Sequence, residues 1–130
     1  QNGDLYVFVK VNPNKIFERD KNNIICEVAI PFTTAALGGS IEVPTIEKKM
    51  VSINIPQGMQ SGHKLRVKGK GMSILRTEQR GDMIVKVHAE TPINLSAKQK
   101  KILTDLDSSL TKDNSKLSEG FFNKVKKMFN

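Results

Sequence analysis

The chain has 130 residues, enough for one domain with a buried core, and a formal charge of +8 from 21 basic against 13 acidic side chains. Its single cysteine, Cys26, excludes an internal disulfide, and no run of the ~18 apolar residues that spanning a bilayer takes is present. The positive surplus attracts nucleic acid or anionic membrane without specificity, yet with no Trp and one Tyr the chain lacks the rings on which single strands stack.

The opening "QNGDLYVFVK" has neither an initiator Met nor a basic segment before an apolar one. No signal peptide is expected, and the start reads as a cut inside a longer protein. Residues 3–11 predict a strand: Leu5, Val7, Val9 and Val11 fall on one face, Tyr6 and Phe8 on the other. Residues 12–23, with Pro13 and paired Asn, read as a polar turn.

Residues 23–32 predict a strand with Ile24, Cys26, Val28 and Ile30 inward and Glu27 outward. A short helical turn follows over 33–39, with Thr33 or Thr34 as its cap and Gly38 as its stop. Strands are then expected over 40–46, ended by Pro44, and over 48–56, with Val51, Ile53 and Ile55 inward. A turn over 57–62 leads to "HKLRVK" (63–68), where Leu65 and Val67 alternate with Lys64, Arg66 and Lys68. The last strand, 82–90, sets Met83, Val85, Val87 and Ala89 against Ile84, Lys86 and His88. Short strands separated by turn signals indicate a mainly β, sandwich-like or barrel-like domain.

Beyond "ETPINL" the period changes. Ser96 and Gln99 form a capping-box pattern, and Ile102, Leu103, Leu106 and Leu110 fall at helical spacing over 96–110. That stripe has no sequence-local partner, so it packs either on the sheet or on another chain. A polar linker is expected over 111–118. A short amphipathic helix is expected over 119–130, with Phe121, Phe122, Val125, Met128 and Phe129 on one side and Lys124, Lys126 and Lys127 interspersed. It is expected to dock on protein, its own or a partner's, with contact with an anionic membrane as the alternative.

No catalytic set stands out. The Gly69-Lys70 pair fails the phosphate-loop pattern, since Lys64 stands where its first Gly belongs and Gly71 where Ser or Thr belongs. The basic residues 64, 66 and 68 are the outward half of an alternating strand, and Arg76 and Arg80 fall in an exposed loop. His63 and His88 are far apart, no Cys/His cluster has ligand spacing, and the carboxylates are scattered. Cys26 reads as a buried inert thiol. No metal, cofactor or enzyme activity is therefore expected in this segment. The residues alone leave a binding module, with a basic nucleic-acid-binding β domain as the alternative.

Several stretches together carry a resemblance: "GDLYV" (3–7), "FERD" (17–20), "AALGGSIEVPT" (35–45), "IPQGMQSG" (55–62), "KGKGM" (68–72), "RGDMIVKV" (80–87) and "ETPINLS" (90–96). In order and spacing, residues 3–110 resemble the C-terminal substrate-binding and dimerisation region of bacterial-type DnaJ co-chaperones. "EGFFNKVKK" (119–127) resembles the tail of bacterial members. The resemblance implies a small β-sandwich-like peptide-binding domain, a dimerisation helix and a short amphipathic tail. It places the last strand of a preceding β domain at 1–11, the second C-terminal β domain at 12–92, the dimerisation helix at 93–110, and linker and tail at 111–130. Missing upstream would be the J domain, a Gly/Phe-rich linker, a zinc-binding module and most of the first β domain.

By the same resemblance the chain is part of a cytoplasmic, non-enzymatic co-chaperone of protein folding and the stress response. Its partners would be unfolded polypeptide, a second copy of itself and, through the missing J domain, a DnaK-type chaperone, with no specific nucleic acid and no membrane span. The His-Pro-Asp motif of the J domain is absent here, so this segment is not expected to stimulate DnaK. Dimerisation falls to Ile102, Leu103, Leu106 and Leu110. Tyr6 and Phe8 are candidates for substrate contact, with packing inside the missing domain as the alternative. Ser73 stands where the family prefers Pro, and "LRTEQRGD" (75–82) replaces an often Gly-rich loop.

Overall fold

Where a polar turn was expected over 12–23, a strand forms. A computed structural model describes residues 16–74 and 79–130, and its first element is β1, Phe17–Asp20. It pairs antiparallel with β2, Asn23–Pro31, from Phe17 opposite Cys26 to Asp20 opposite Asn23. A single buried side chain, Phe17, ties β1 to the core, so no alternation marks it in the sequence. Lys21 turns the chain with a φ of 58°. The expected strand over 3–11 lies outside the described residues.

β2 runs directly into helix α1, Phe32–Leu37. Its N-cap is Pro31, with φ −58° and ψ 143°, and no side chain caps it. The expectation of a Thr cap is thus corrected. Pro31 has no N–H to extend the ladder and its fixed φ suits a helix entry, so the helix begins before Thr33 and Thr34. Gly38 ends it, its N–H donating to the Thr34 carbonyl at 2.8 Å. Strands β3, Gly39–Pro44, and β4, Met50–Ile55, form an antiparallel hairpin in register from Gly39↔Ile55 to Pro44↔Met50. Thr45 closes the turn between them: its buried hydroxyl donates to the Lys49 carbonyl at 2.9 Å.

β5, Lys64–Val67, and β6, Met83–Glu90, complete the main sheet, whose order is β1-β2-β6-β5. β6 is antiparallel to β5 and parallel to β2, from Ile24↔Met83 to Pro31↔Glu90. The inner faces of the sheet and hairpin meet over one apolar core. Ile24, Cys26 and Ile30 of β2 and Met83, Val85 and Val87 of β6 are buried, facing Val43, Ile53 and Ile55 from the hairpin. Full burial of one such side chain stabilises by about 1.5–3 kcal/mol. Ala35 of α1 and two turn methionines, Met59 and Met72, fill the remainder. The architecture is mainly β and sandwich-like.

The chain divides into two units, Gln1–Pro92 and Ile93–Asn130. The second unit begins with α2, Ala97–Ser109. The Ser96 hydroxyl accepts from the Gln99 N–H at 3.2 Å, and the Gln99 side chain accepts from the Ser96 N–H at 2.8 Å, completing the capping box. The expected linker is shorter than 111–118. A 3-10 turn occupies Lys112–Asn114, and α3 spans Lys116–Met128. The Asn114 side chain accepts from the Thr111 N–H at 2.8 Å, which orders the turn and brings the helix start forward.

Candidate functional site

The segment 63–82 is held by two carboxylates. Asp82 accepts from the Gly69 N–H at 3.0 Å and from the Arg66 guanidinium. The Gly69 amide, and then Arg66, keep the Asp82 carboxyl below its ordinary pKa. Glu47 receives Arg80 and, at 3.3 Å, Lys70, and its pKa is lowered by those two hydrogen bonds, Arg80 first. Arg80 also donates from Nε and Nη2 to the Gly71 carbonyl, at 3.0 and 2.7 Å. The expectation of Arg80 in an exposed loop is therefore corrected, because its guanidinium joins two turns. Arg76 lies outside the described residues. Arg66, Lys70 and Arg80 thus already face protein carboxylates, which leaves less of this segment for a phosphate backbone.

The glycines follow from crowding. A Cβ on Gly81 would lie 1.9 Å from the Asn22 carbonyl oxygen, and one on Gly71 would lie 2.5 Å from it. That carbonyl accepts the Met72 N–H at 2.8 Å, so the β1–β2 turn is stitched to the loop before β6. Ser73 forms an isolated antiparallel bridge with Arg80. The bonds that make it run from the Gly81 N–H to the Met72 carbonyl and from the Ile74 N–H to the Gln79 carbonyl. The Ser73 amide carries neither, so a proline there costs no ladder bond.

The outer face of the main sheet carries an open apolar feature among the described residues of the first unit. Ile25 of β2 lies opposite Ile84 of β6, both half-buried, beside Glu18 of β1 and Arg66 of β5. A depression of about 340 Å³ is lined by Ile25, Ile84 and Leu65, with Asp20, Lys64 and Arg66 at its rim. A second, of about 130 Å³, shares Ile25 and adds Ile16, Phe17, Glu18 and Glu27. The face is acidic toward β1 and basic toward β5. Ile84 stood out in the sequence as apolar on a polar face; Ile25 did not. Their pairing depends on the parallel β2–β6 register, which no local pattern announces.

Other chemistry is sparse. Glu27 Oε1 meets His88 Nε2 at 2.7 Å, and that contact lowers the Glu27 pKa, helped by Lys86. Cys26 is buried, and desolvation raises its thiol pKa, away from a nucleophilic thiolate. Among the described residues no three His, Cys, Asp or Glu side chains are grouped to hold a metal, and no helix is long and apolar enough to cross a membrane.

In the second unit, α2 brings Ile102, Leu103, Leu106 and Leu110 into an arc of about 100°, with Leu110 as the C-cap residue. Ile102 is 56% exposed, Leu106 44% and Leu110 43%. α3 gathers Leu117, Phe121, Phe122, Val125, Met128 and Phe129, and Leu117 extends the expected stripe by one turn. Neither helix buries a residue. Tyr6 and Phe8 lie outside the described residues.

Residues 1–92 match the family model of the DnaJ C terminal domain, and residues 98–130 match that of the Chaperone protein DnaJ C-terminal region. Similar proteins, each named Chaperone protein DnaJ, occur in Rhodospirillum centenum, 50% identical over 127 residues, and in Paramagnetospirillum magneticum, 47% identical over 130 residues. A third, from Mesorhizobium japonicum, is 43% identical over 127 residues. Each alignment covers 98% of this chain and 34% of the relative, so the chain spans about a third of their length.

Proposed function

The chain belongs to the DnaJ family, as a C-terminal region, and from that premise we infer that it is the part of a molecular co-chaperone that binds unfolded polypeptide and joins two copies. In the full-length protein it would work with a DnaK-type chaperone through a J domain upstream, where any zinc module would also lie. The observation that carries the reading is apolar surface left open beside a closed core: the Ile25–Ile84 face and the α2 stripe. An extended apolar segment fits the shallow face, and the short edge strands β1 and β5 offer backbone pairing without sequence preference.

For the pairing of copies, the charges beside the stripe matter as much as the stripe. Lys98 and Asp105 flank it on one side, Lys100 and Asp107 on the other, with the lysines always nearer the N-terminus. That order opposes the helix dipole, and the contact it gives within the helix, Lys101 to Asp105 at 3.0 Å, is an exposed pair worth little. In an antiparallel two-fold pair, Lys98 meets Asp105 of the other copy and Lys100 meets its Asp107. A parallel pair would set Lys against Lys and Asp against Asp. The antiparallel arrangement is the one the sequence supports.

The test uses a chain in which the upstream β domain is restored. A denatured client should stay soluble in its presence, and binding should persist at moderate salt. Failure to suppress aggregation, with nucleic-acid binding that falls steeply with salt, would replace this reading by the basic-domain alternative.

A further inference from the structure

α3 differs from α2 in the sign and placement of its charges. At the helical repeat, its six apolar residues cover an arc of about 140°. Lys124 and Lys126 stand at the two edges of that arc, while Lys116 and Lys127 lie on the far side. The one acidic residue of the helix, Glu119, already faces Lys112 at 3.8 Å. Lys124, Lys126 and Lys127 have no ion-pair partner among the described residues. Phe121 and Phe122 meet edge to face, with ring centroids 5.1 Å apart, at the wide end of the apolar stripe. Phe129 is 81% exposed and Phe121 60%.

We propose that α3 is a peripheral anchor for an anionic lipid surface, its Phe-rich face among the acyl chains and Lys124 and Lys126 at the headgroup phosphates. The helix has 13 residues and is about 20 Å long, so it lies in the interface and does not cross it. Lysine stems bury their methylenes along the apolar edge while the ammonium groups reach the phosphates. The occupant follows from charge complementarity. A second copy of α3 would meet the same cationic rim, whereas an anionic surface neutralises both unpaired edge lysines, Lys124 and Lys126, at once. A stripe about 140° wide also suits a surface better than the narrow seam of a partner helix.

The test is co-sedimentation of the chain with vesicles of phosphatidylglycerol and phosphatidylcholine in equal parts, against vesicles of phosphatidylcholine alone. Binding to the anionic vesicles should be at least about tenfold tighter, and should weaken as salt rises. Lys124→Gln with Lys126→Gln should weaken it on the order of twentyfold. Phe121→Ser with Phe122→Ser should remove it and leave the melting of the β unit unchanged. Equal binding to both vesicles, or none to either, would overturn the proposal. So would a Phe121→Ser, Phe122→Ser chain that melts earlier or changes its oligomeric state, since α3 would then dock on protein.

Discussion

The two units treat the same ingredients, apolar and basic side chains, in opposite ways. In the β unit, alternation sends Ile24, Ile30, Met83, Val85 and Val87 inward, and Arg66, Lys70 and Arg80 are matched by Asp82 and Glu47. In the helical unit the apolar stripes face outward and much of the charge has no internal partner. The difference teaches where each unit's interactions are addressed. In the β unit the core and the carboxylate ties serve its own stability, apart from the open Ile25–Ile84 face; in the proposed reading the helical unit presents its stripes to other molecules. Substitutions in the first should change stability and leave assembly alone; substitutions in the second should do the reverse.

The largest effect is expected in the core. Ile24 is wholly buried, and Ile24→Ala should cost about 2–5 kcal/mol in chemical denaturation while the folded fraction keeps its oligomeric state. The counterpart in the helical unit is Leu106→Asp. It places an unpaired charge in the proposed seam and should weaken self-association by a hundredfold or more, on the order of 3 kcal/mol, with β-unit melting unchanged. An unaltered oligomer would remove α2 from the interface.

The carboxylate ties sharpen the comparison through pH. Asp82 and Glu47 have lowered pKa values in the folded chain, so their stabilisation is complete above the ordinary carboxylate range, about pH 4. It is lost as pH falls through the lowered folded values. Thermal melts of the β unit should therefore decline below about pH 4, and Asp82→Asn should flatten part of that decline. A decline equally steep in Asp82→Asn would assign it to other groups. The smallest effect concerns Ser73. Because its amide carries no bond of the bridge to Arg80, Ser73→Pro should be neutral or stabilise by up to about 1 kcal/mol. A clear loss of stability would show that the loop needs a backbone φ proline cannot adopt.

Much of this was legible in residue patterns. The strict alternation of β2, β4 and β6 shows in Ile24-Cys26, Ile53-Ile55 and Met83-Val85-Val87, because one buried face imposes a period of two. Ser96 and Gln99 marked the start of α2 because a capping box is local. What was hidden is non-local or too short. β1 rests on Phe17 alone, so it read as a turn. The parallel β2–β6 pairing, and with it the Ile25–Ile84 face, depends on a register between segments 59 residues apart, since Asn23 also takes the Asp82 N–H. The Glu47–Arg80 tie spans 33 residues of sequence. Met59 and Met72 join the core from turns, where no periodicity exists to reveal them. On the helices the stripes were plain; the seam proposed for α2 and the lipid contact proposed for α3 rest on flanking charge, which apolar periodicity does not report.

The most direct test of the account is sedimentation equilibrium on a charge-reversal series in α2. Lys98→Glu with Lys100→Glu should weaken self-association about fourfold to several-hundredfold, because two-fold symmetry repeats each exposed pair and the four contribute about 0.2–1 kcal/mol apiece. Adding Asp105→Lys with Asp107→Lys to the same chain should restore it, because both antiparallel pairs are then re-formed with reversed sign. A four-fold variant that associates no better than the Lys98→Glu, Lys100→Glu chain would contradict the antiparallel pairing of α2.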